Sequence, residues 1–200
     1  MIAFKLKACI EDLLDQHSGD RFVVVGPYRK ADAENIFKKP TVLVFYSEGS
    51  FDKSKSSVNS PYHHDASFNI HLSVAAKATS NLAVLQNPEA KPEQYAIALA
   101  ASNDAVALAD AKTDELIAIV YDIIMRPEHR KLGFDDITSR WVPQINKYQP
   151  SSIGAIVTSG ATITLKAQTA EKVTSAITTL GETIDTVIDL DDESKQGVKT

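Results

Sequence analysis

Hydrophobic positions recur along the chain with two different periods, which predict helices in some segments and strands in others. Over the first 17 residues, apolar side chains return every three or four positions, the spacing of one buried helix face. The runs 22–25 and 41–46 are short, β-branched and aromatic, and 66–74 alternates between apolar and polar residues. These three runs predict strands.

The middle of the chain predicts two helices. Pro92 precedes an alanine-rich stretch, 93–111, which favours a helix because alanine has the best intrinsic helix propensity; residues 102–103 are the point where it could break. A second helix is expected over 113–126, since Thr113 offers an N-cap oxygen and one apolar stripe follows it.

Two polar or proline-containing segments predict less regular structure. Residues 47–65 have too few apolar side chains for a core element and predict a long polar loop between two strands. Residues 133–150 contain three structure breakers and predict a short strand or irregular segment, whose Trp141 packs its indole onto the core.

The last fifty residues predict a hairpin and a few terminal elements. Runs 153–158 and 161–168 flank Ser159-Gly160 and predict a β-hairpin. A helix over 169–180, ended by Gly181, and a strand over 186–188 are expected next, before a frayed polar tail over 191–200.

Together these elements predict one α+β domain, 1–190, with a mixed, largely antiparallel sheet flanked by helices and a polar tail, 191–200. The sheet is expected to pack on the 113–126 helix. The predicted core is Val42, Val44, Phe68, Ile70, Leu72, Ile163 and Leu165 from strands, against Leu116, Ile117, Val120 and Ile124 from the helix.

Composition excludes several classes of protein. The 200 residues include 44% hydrophobic residues, so the chain can bury a core, and its only cysteine, Cys9, cannot form an intramolecular disulfide. No apolar signal-peptide core and no run of about 18 apolar residues occur, so neither export by that route nor a membrane span is expected. A net charge of -5 argues against general DNA binding.

No motif predicts catalysis, and the expectation is a protein without catalytic, cofactor-binding or metal-binding residues. Gly26 follows an apolar strand but has no second glycine or lysine-threonine pair with which to hold a phosphate. An alternative is a module for a metal or small ligand built around His63, His64 and His71, although no cysteine or carboxylate pattern completes a metal shell.

The order of the elements resembles that of bacteriophage tail terminator, or tail completion, proteins. The resemblance is carried by 40–45, by the polar segment after it, by the strand 66–74 and by the helix 114–125. This resemblance in the order of elements covers most of the chain. It implies a mixed sheet flanked by helices, no cofactor, and a virion protein that is assembled in the host cytoplasm and resides in the tail and neck.

The resemblance also implies partners. Such proteins form a hexameric ring that caps the tail tube and contacts the neck and head-completion proteins, with the tail sheath as a further candidate, while DNA passes through without specific binding. Another neck or tail component remains an alternative. The candidate contact residues for subunits or partners are Phe51, Lys53, Lys55, Tyr62, Arg126 and Arg130.

An acidic channel is expected in such a ring, because like charge prevents DNA from sticking as it slides through. The candidates for its lining are Glu48, Asp52, Asp65 and the cluster from Asp189 to Glu193.

Overall fold

A computed structural model describes residues 2–26, 39–52, 62–80, 82–153 and 155–171. The helices are α1 (Ile2–Ser18) and α2 (Pro92–Met125), with 3-10 turns at Leu82–Gln86 and Pro127–His129. The strands are β1 (Val23–Val25), β2 (Thr41–Asp52), β3 (Tyr62–Lys77), β4 (Ile137–Ile153) and β5 (Ile156–Glu171).

The five strands form one sheet in the order β1-β2-β3-β5-β4. Only β1 and β2 pair in parallel, and the other three pairs are antiparallel. This mixed, mostly antiparallel sheet with its two helices is the α+β fold that the sequence predicts.

Both helices lie on the same face of the sheet, where they contact each other and the central strands. Strand alternation directs Val42, Phe68, Leu72 and their same-face neighbours toward the helices, because side chains on a strand point to opposite faces in turn. All the predicted core residues lie in this core, and Ile117 is the only one that is just partly buried.

The prediction of two helices, 93–111 with a possible break at 102–103 and 113–126, is wrong, because α2 runs without interruption from Pro92 to Met125. Ser102 is half-buried and Asn103 exposed, and the modest helix propensity of these residues is outweighed by the alanines around them. Thr113 is not an N-cap either. It is fully buried within the helix, and its hydroxyl donates to the carbonyl of Ala109 at 2.8 Å.

The predicted loop over 47–65 is wrong at both ends. Ser47 to Asp52 continue β2 and Tyr62 to Asp65 begin β3, and the two strands pair as far as Asp52 opposite His63. Backbone hydrogen bonds to a neighbouring strand form whatever the side chains are, so a polar segment can extend a sheet. Residues 53–61 lie outside the described part of the chain.

The region 133–150 is more regular than expected, because β4 has 17 residues. As an edge strand it can accommodate Pro143 and Pro150, and its pairing with β5 shifts register near both prolines. Trp141 is 38% exposed and sits opposite Lys166 on the face away from the helices. The expectation that its indole packs into the core is therefore wrong.

The predicted hairpin at Ser159-Gly160 is also wrong, since both residues lie inside the continuous strand β5. The turn joins β4 to β5 instead, between Ile153 and Ile156. A Cβ at Gly160 would lie 2.5 Å from the carbonyl oxygen of Leu72, so this glycine permits close backbone approach rather than a turn.

The end of β5 corrects one further expectation. Residues 169–171 extend the strand instead of starting a helix. The remainder of the predicted helix, the strand 186–188 and the tail 191–200 lie outside the described residues. In the described ranges, no helix combines the length and the apolar character needed to cross a membrane.

Candidate functional site

The face of the sheet away from the helices is here called the open face. Strand register decides which side chains it carries, because paired residues share a face. From β2 and β3 these are Leu43, Phe45, Glu48, Ser50, His63, Asp65, Ser67, Asn69, His71, Ser73, Ala75 and Lys77. From β5 and β4 they are Thr158, Thr162, Thr164, Lys166, Gln168, Ser139, Trp141, Gln144, Asn146, Tyr148 and Ser151. Most of these side chains end in a hydroxyl or an amide.

A cleft of about 220 Å³ crosses the open face near the end of β2. Its charged lining groups are Glu48, Asp65 and Lys166, and the indole of Trp141 forms one wall. Asp65 accepts a hydrogen bond from the Gln168 amide at 2.9 Å. Lys166 takes part in no ion pair within the described residues. The mixture of one cation with two carboxylates does not suit a phosphate, which needs clustered donors and positive charge.

The opposite end of the open face is more aromatic. The rings of Phe45 and His71 meet edge to face with centroids 5.1 Å apart, and the Tyr148 hydroxyl is hydrogen-bonded to that of Thr162. Burial lowers the pKa of His71 from its ordinary value of 6.5, so its imidazole is neutral at pH 7. A second cleft of about 280 Å³ lies here, between His71 and Tyr148.

Three of the predicted contact residues, Phe51, Tyr62 and Arg126, fall at one end of the sheet. Phe51 and Tyr62 lie in β2 and β3 on either side of the undescribed segment, which contains Lys53 and Lys55. Arg126 directly follows α2.

Arg140 connects this helix end to the sheet. Its guanidinium donates to the carbonyls of Arg126, at 2.6 Å, and of His129. Arg140 pairs with Ala167 of β5, and Ala167 pairs with Ala66 of β3. Ala66 lies two residues along β3 from the residue that pairs with Phe51, so Arg140 is near the same end of the sheet. Burial lowers the pKa of Arg140, and its bonds to the carbonyls satisfy the end of the helix.

Arg126 and Arg130 differ in their surroundings. Arg126 forms an ion pair with Asp122 at 2.5 Å, and this hydrogen bond raises the pKa of the arginine. The side chain of Arg130 is exposed and makes no hydrogen bond or ion pair to the described residues. Of these two predicted contacts, Arg130 is therefore the freer to meet a partner.

The three histidines of the alternative metal module do not converge. His63 and His71 lie on the open face, eight residues apart along one strand, which corresponds to roughly 26 Å at 3.3 Å per residue. His64 points to the helix side and is buried. Among the residues that the structure describes, no three His, Cys, Asp or Glu side chains are grouped so that they could hold a metal ion.

Cys9 does not have the surroundings of a reactive thiol. It is partly buried in α1, and burial followed by the charge of Asp12 raises its pKa. Because the thiolate is the nucleophilic form, a raised pKa makes this cysteine less reactive at neutral pH.

Two of the predicted channel residues, Glu48 and Asp65, line the same cleft, and Asp52 ends the strand that carries Glu48. The cluster 189–193 lies outside the described residues. Reasoning from sequence missed Trp141 and Tyr148 on this face. The alternation that could have revealed them is interrupted in β4 by prolines and register shifts.

No protein-family model matches this chain, and no curated protein matches it either.

Proposed function

We propose that the protein is a structural component of a bacteriophage tail, a tail terminator that forms a hexameric ring, caps the tail tube and joins it to the neck. The observation that carries the proposal is the open face: a broad sheet surface, rich in hydroxyl and amide groups, on which neither described helix packs. In the ring, this face borders the channel through which DNA moves.

The charge on the open face suits that role. Its described charged side chains are Glu48, Asp65, Lys77 and Lys166, and His71 is neutral at pH 7, so the two carboxylates balance the two lysines. Retention of DNA requires lysines or arginines that neutralise several phosphates and release their counterions. A face on which two carboxylates balance two lysines has little affinity for duplex DNA, which can slide past it.

The first test is the oligomeric state together with the effect on tails. Native mass spectrometry of the purified protein is expected to give a six-fold oligomer, and electron microscopy is expected to show that tails made without it lack a regular length. A protein that remains monomeric at high concentration, or tails that are unaffected by its absence, would contradict the proposal. A ring that leaves tail length unchanged would instead support another neck component.

A DNA-binding measurement tests the proposed role of the open face in a second way. Fluorescence anisotropy with a labelled duplex at low salt is expected to show no binding by the wild-type protein. Replacing Gln144, Asn146 and Thr164 by lysine should create binding that weakens as salt is added, because the new cations would contact phosphates. Strong salt-dependent binding by the unaltered protein would count against a channel lined by this face.

The segment between β2 and β3 provides the contacts to the tube or to a neighbouring subunit in this proposal, with Phe51 and Tyr62 at its base and Lys53 and Lys55 within it. Because the flanking residues are strands, a deletion test must be confined to 53–61. A glycine-serine linker there is expected to leave thermal melting unchanged and to abolish capping. Normal tails with this linker would refute the role of the segment.

A further inference from the structure

Two exposed aromatic side chains lie on the open face of the edge strand β4. Trp141 is 38% exposed and Tyr148 is 49% exposed. Gln144 and Asn146 lie between them on the same face, since both pair with open-face threonines of β5, and both are exposed. These four side chains, here called the β4 row, place two amides between two aromatic rings. The row is at most about 23 Å long at 3.3 Å per residue.

Each aromatic ring of the β4 row borders one of the clefts of the open face. The indole of Trp141 is a wall of the cleft of about 220 Å³, and Tyr148 lines the cleft of about 280 Å³. Both clefts are smaller than the roughly 300 to 1,000 Å³ of pockets that enclose drug-sized ligands. Each cleft therefore suits one small ring of a ligand, and the row connects the two clefts.

The ring of Tyr148 is held in place by its neighbours. Its hydroxyl is hydrogen-bonded to that of Thr162, and a Cβ at Gly160 would lie 3.7 Å from the Cδ2 atom of the tyrosine. Because the hydroxyl is engaged, the part of Tyr148 that meets a ligand is its ring. A ring that is already fixed loses little conformational freedom on binding.

The amides of the row keep part of their hydrogen-bonding capacity. The Gln144 amide nitrogen donates to Oδ1 of Asn146 at 2.8 Å, which positions both side chains. The carbonyl oxygen of Gln144 remains an acceptor and the amide nitrogen of Asn146 a donor, since neither has a partner among the described residues. The indole N–H of Trp141 and the ammonium of Lys166 are further donors on this face. A ligand whose groups both donate and accept satisfies all of them.

The charge of the clefts argues against an ionic ligand. The described lining of the Tyr148 cleft has no carboxylate, lysine or arginine, and its His71 is neutral at pH 7. The Trp141 cleft has two carboxylates beside one lysine. Nucleic acids and acidic polysaccharides require clustered cations, which neither cleft provides. A neutral ligand matches this surface better.

A protein partner also matches the β4 row poorly. Stable protein interfaces are built around a buried apolar centre in which the energetically important side chains cluster. Here the two aromatic rings lie at opposite ends of the row, and amides occupy the space between them. The row therefore has separate stacking positions and a polar centre.

We propose that the open face binds a neutral oligosaccharide along the β4 row. A pyranose ring has an apolar C–H face that stacks on an aromatic ring, and its hydroxyls both donate and accept hydrogen bonds. One sugar ring stacks on Trp141 and another on Tyr148, while the hydroxyls between them bond to the two amides of the row. In the Trp141 cleft, Glu48 accepts from a hydroxyl and Lys166 donates to one.

This site goes beyond the proposed tail function and does not depend on it. A face that borders a channel remains in contact with water and small solutes, so a soluble oligosaccharide reaches it in a free subunit and in a ring.

The binding test uses the fluorescence of Trp141, which is the only tryptophan in the chain and therefore reports on this face alone. Three neutral hexasaccharides, maltohexaose, cellohexaose and N-acetylated chitohexaose, are titrated into the full-length protein. At least one is expected to change the emission saturably, with a Kd in the millimolar range or tighter. A sulfated hexasaccharide is expected not to bind. No change with any of the three neutral probes at millimolar concentration, or stronger binding of the sulfated one, would overturn the proposal.

Variants of Tyr148 test whether the second aromatic ring takes part. Tyr148→Ala is expected to raise the Kd at least about tenfold, because it removes a stacking surface and leaves the tryptophan reporter in place. Tyr148→Phe keeps the ring and should bind within about threefold of the wild type. Tyr95→Ala, which removes a tyrosine of similar exposure (46%) from α2, is the control and should leave binding unchanged.

Thermal melting checks that each variant is folded. If Tyr148→Ala does not fold, Gln144→Ala combined with Asn146→Ala tests the same row at exposed sites and is expected to weaken binding by a similar factor. Wild-type affinity in the folded Tyr148→Ala protein or in the double variant, or an equal loss in Tyr148→Phe and Tyr148→Ala, would overturn the proposed site.

Discussion

The two halves of α2 perform different tasks although they belong to one uninterrupted helix. From 112 to 125 the buried side chains are large and join the main core: Leu116, Val120, Ile123 and Ile124. From 92 to 111 they are all alanines, and two of them pack in a small separate cluster with Ala76, Ala78 and Val157. The large apolar side chains of this half are exposed instead: Tyr95, Ile97, Leu99 and Leu108.

This difference separates a half that builds the main core from a half whose large apolar side chains are exposed. The half with large buried side chains removes much apolar area from water and so contributes most of the folding free energy of the helix. The alanine half removes less apolar area and lies close to the sheet, and its larger side chains are exposed. The predictions below test this division, starting with the largest expected effect.

The division is most directly tested by the same substitution in each half. Leu116→Ala, at a side chain that is 2% exposed, is expected to lower the free energy of unfolding by about 2 to 5 kcal/mol, because it leaves a cavity in the core. Leu108→Ala, at an exposed site, should change it by less than about 0.5 kcal/mol. Urea denaturation measures both. Equal losses would show that the two halves share one core.

The alanine half should not tolerate a larger side chain at a buried position. Ala109 is fully buried, so Ala109→Leu is expected to cost about 1 to 3 kcal/mol by overpacking the gap between helix and sheet. Ala107→Leu on the exposed side is the control, since leucine is nearly as good a helix former as alanine. Thermal melting distinguishes them. If Ala109→Leu melts like the control, the small cluster is loosely packed.

The smallest effect concerns the ion pairs at the junction of the two halves. Hydrogen bonds to Asp110 and Asp114 raise the pKa of Lys147 above its ordinary value of 10.5. A group whose pKa is raised on folding stabilises the protein below the unfolded value, and this contribution is lost as pH rises through the folded value. Lys147→Gln should therefore lower the melting temperature slightly near pH 8, and the difference should disappear as the pH rises above 10.5 and through the raised pKa. A pH-independent difference would assign the effect to packing.

Much of the fold could be predicted because its pattern is local. The helix α1 has three- and four-residue apolar spacing, and β3 around Leu72 has strict alternation, so both follow from one stretch of sequence. The large residues in the second half of α2, such as Val120, identify a core helix for the same reason.

The errors occurred where pairing with a distant strand overrides local preference. Gly160 resembles a turn residue, yet it lies within β5 because the backbone of Leu72 approaches closely there. Ser47 to Asp52 resemble a loop, yet they pair with β3. The site was missed for a related reason. Trp141 and Lys166 are 25 positions apart in sequence, since 166 − 141 is 25, and only strand register brings them into one cleft.

The sequence by itself determined the class of fold, the position of the main core and the helical character of residues 93 to 126, although not that they form one helix, because the periodicity of buried positions can be read from consecutive residues. Only the tertiary structure decided that both helices cover the same face of the sheet, and therefore that the other face stays open. It also decided which carboxylates of α2 find a cation, since Lys147 reaches Asp110 and Asp114 across the fold whereas Asp104 meets none among the described residues. Such matters depend on contacts between residues far apart in the chain, whose distances no local pattern specifies.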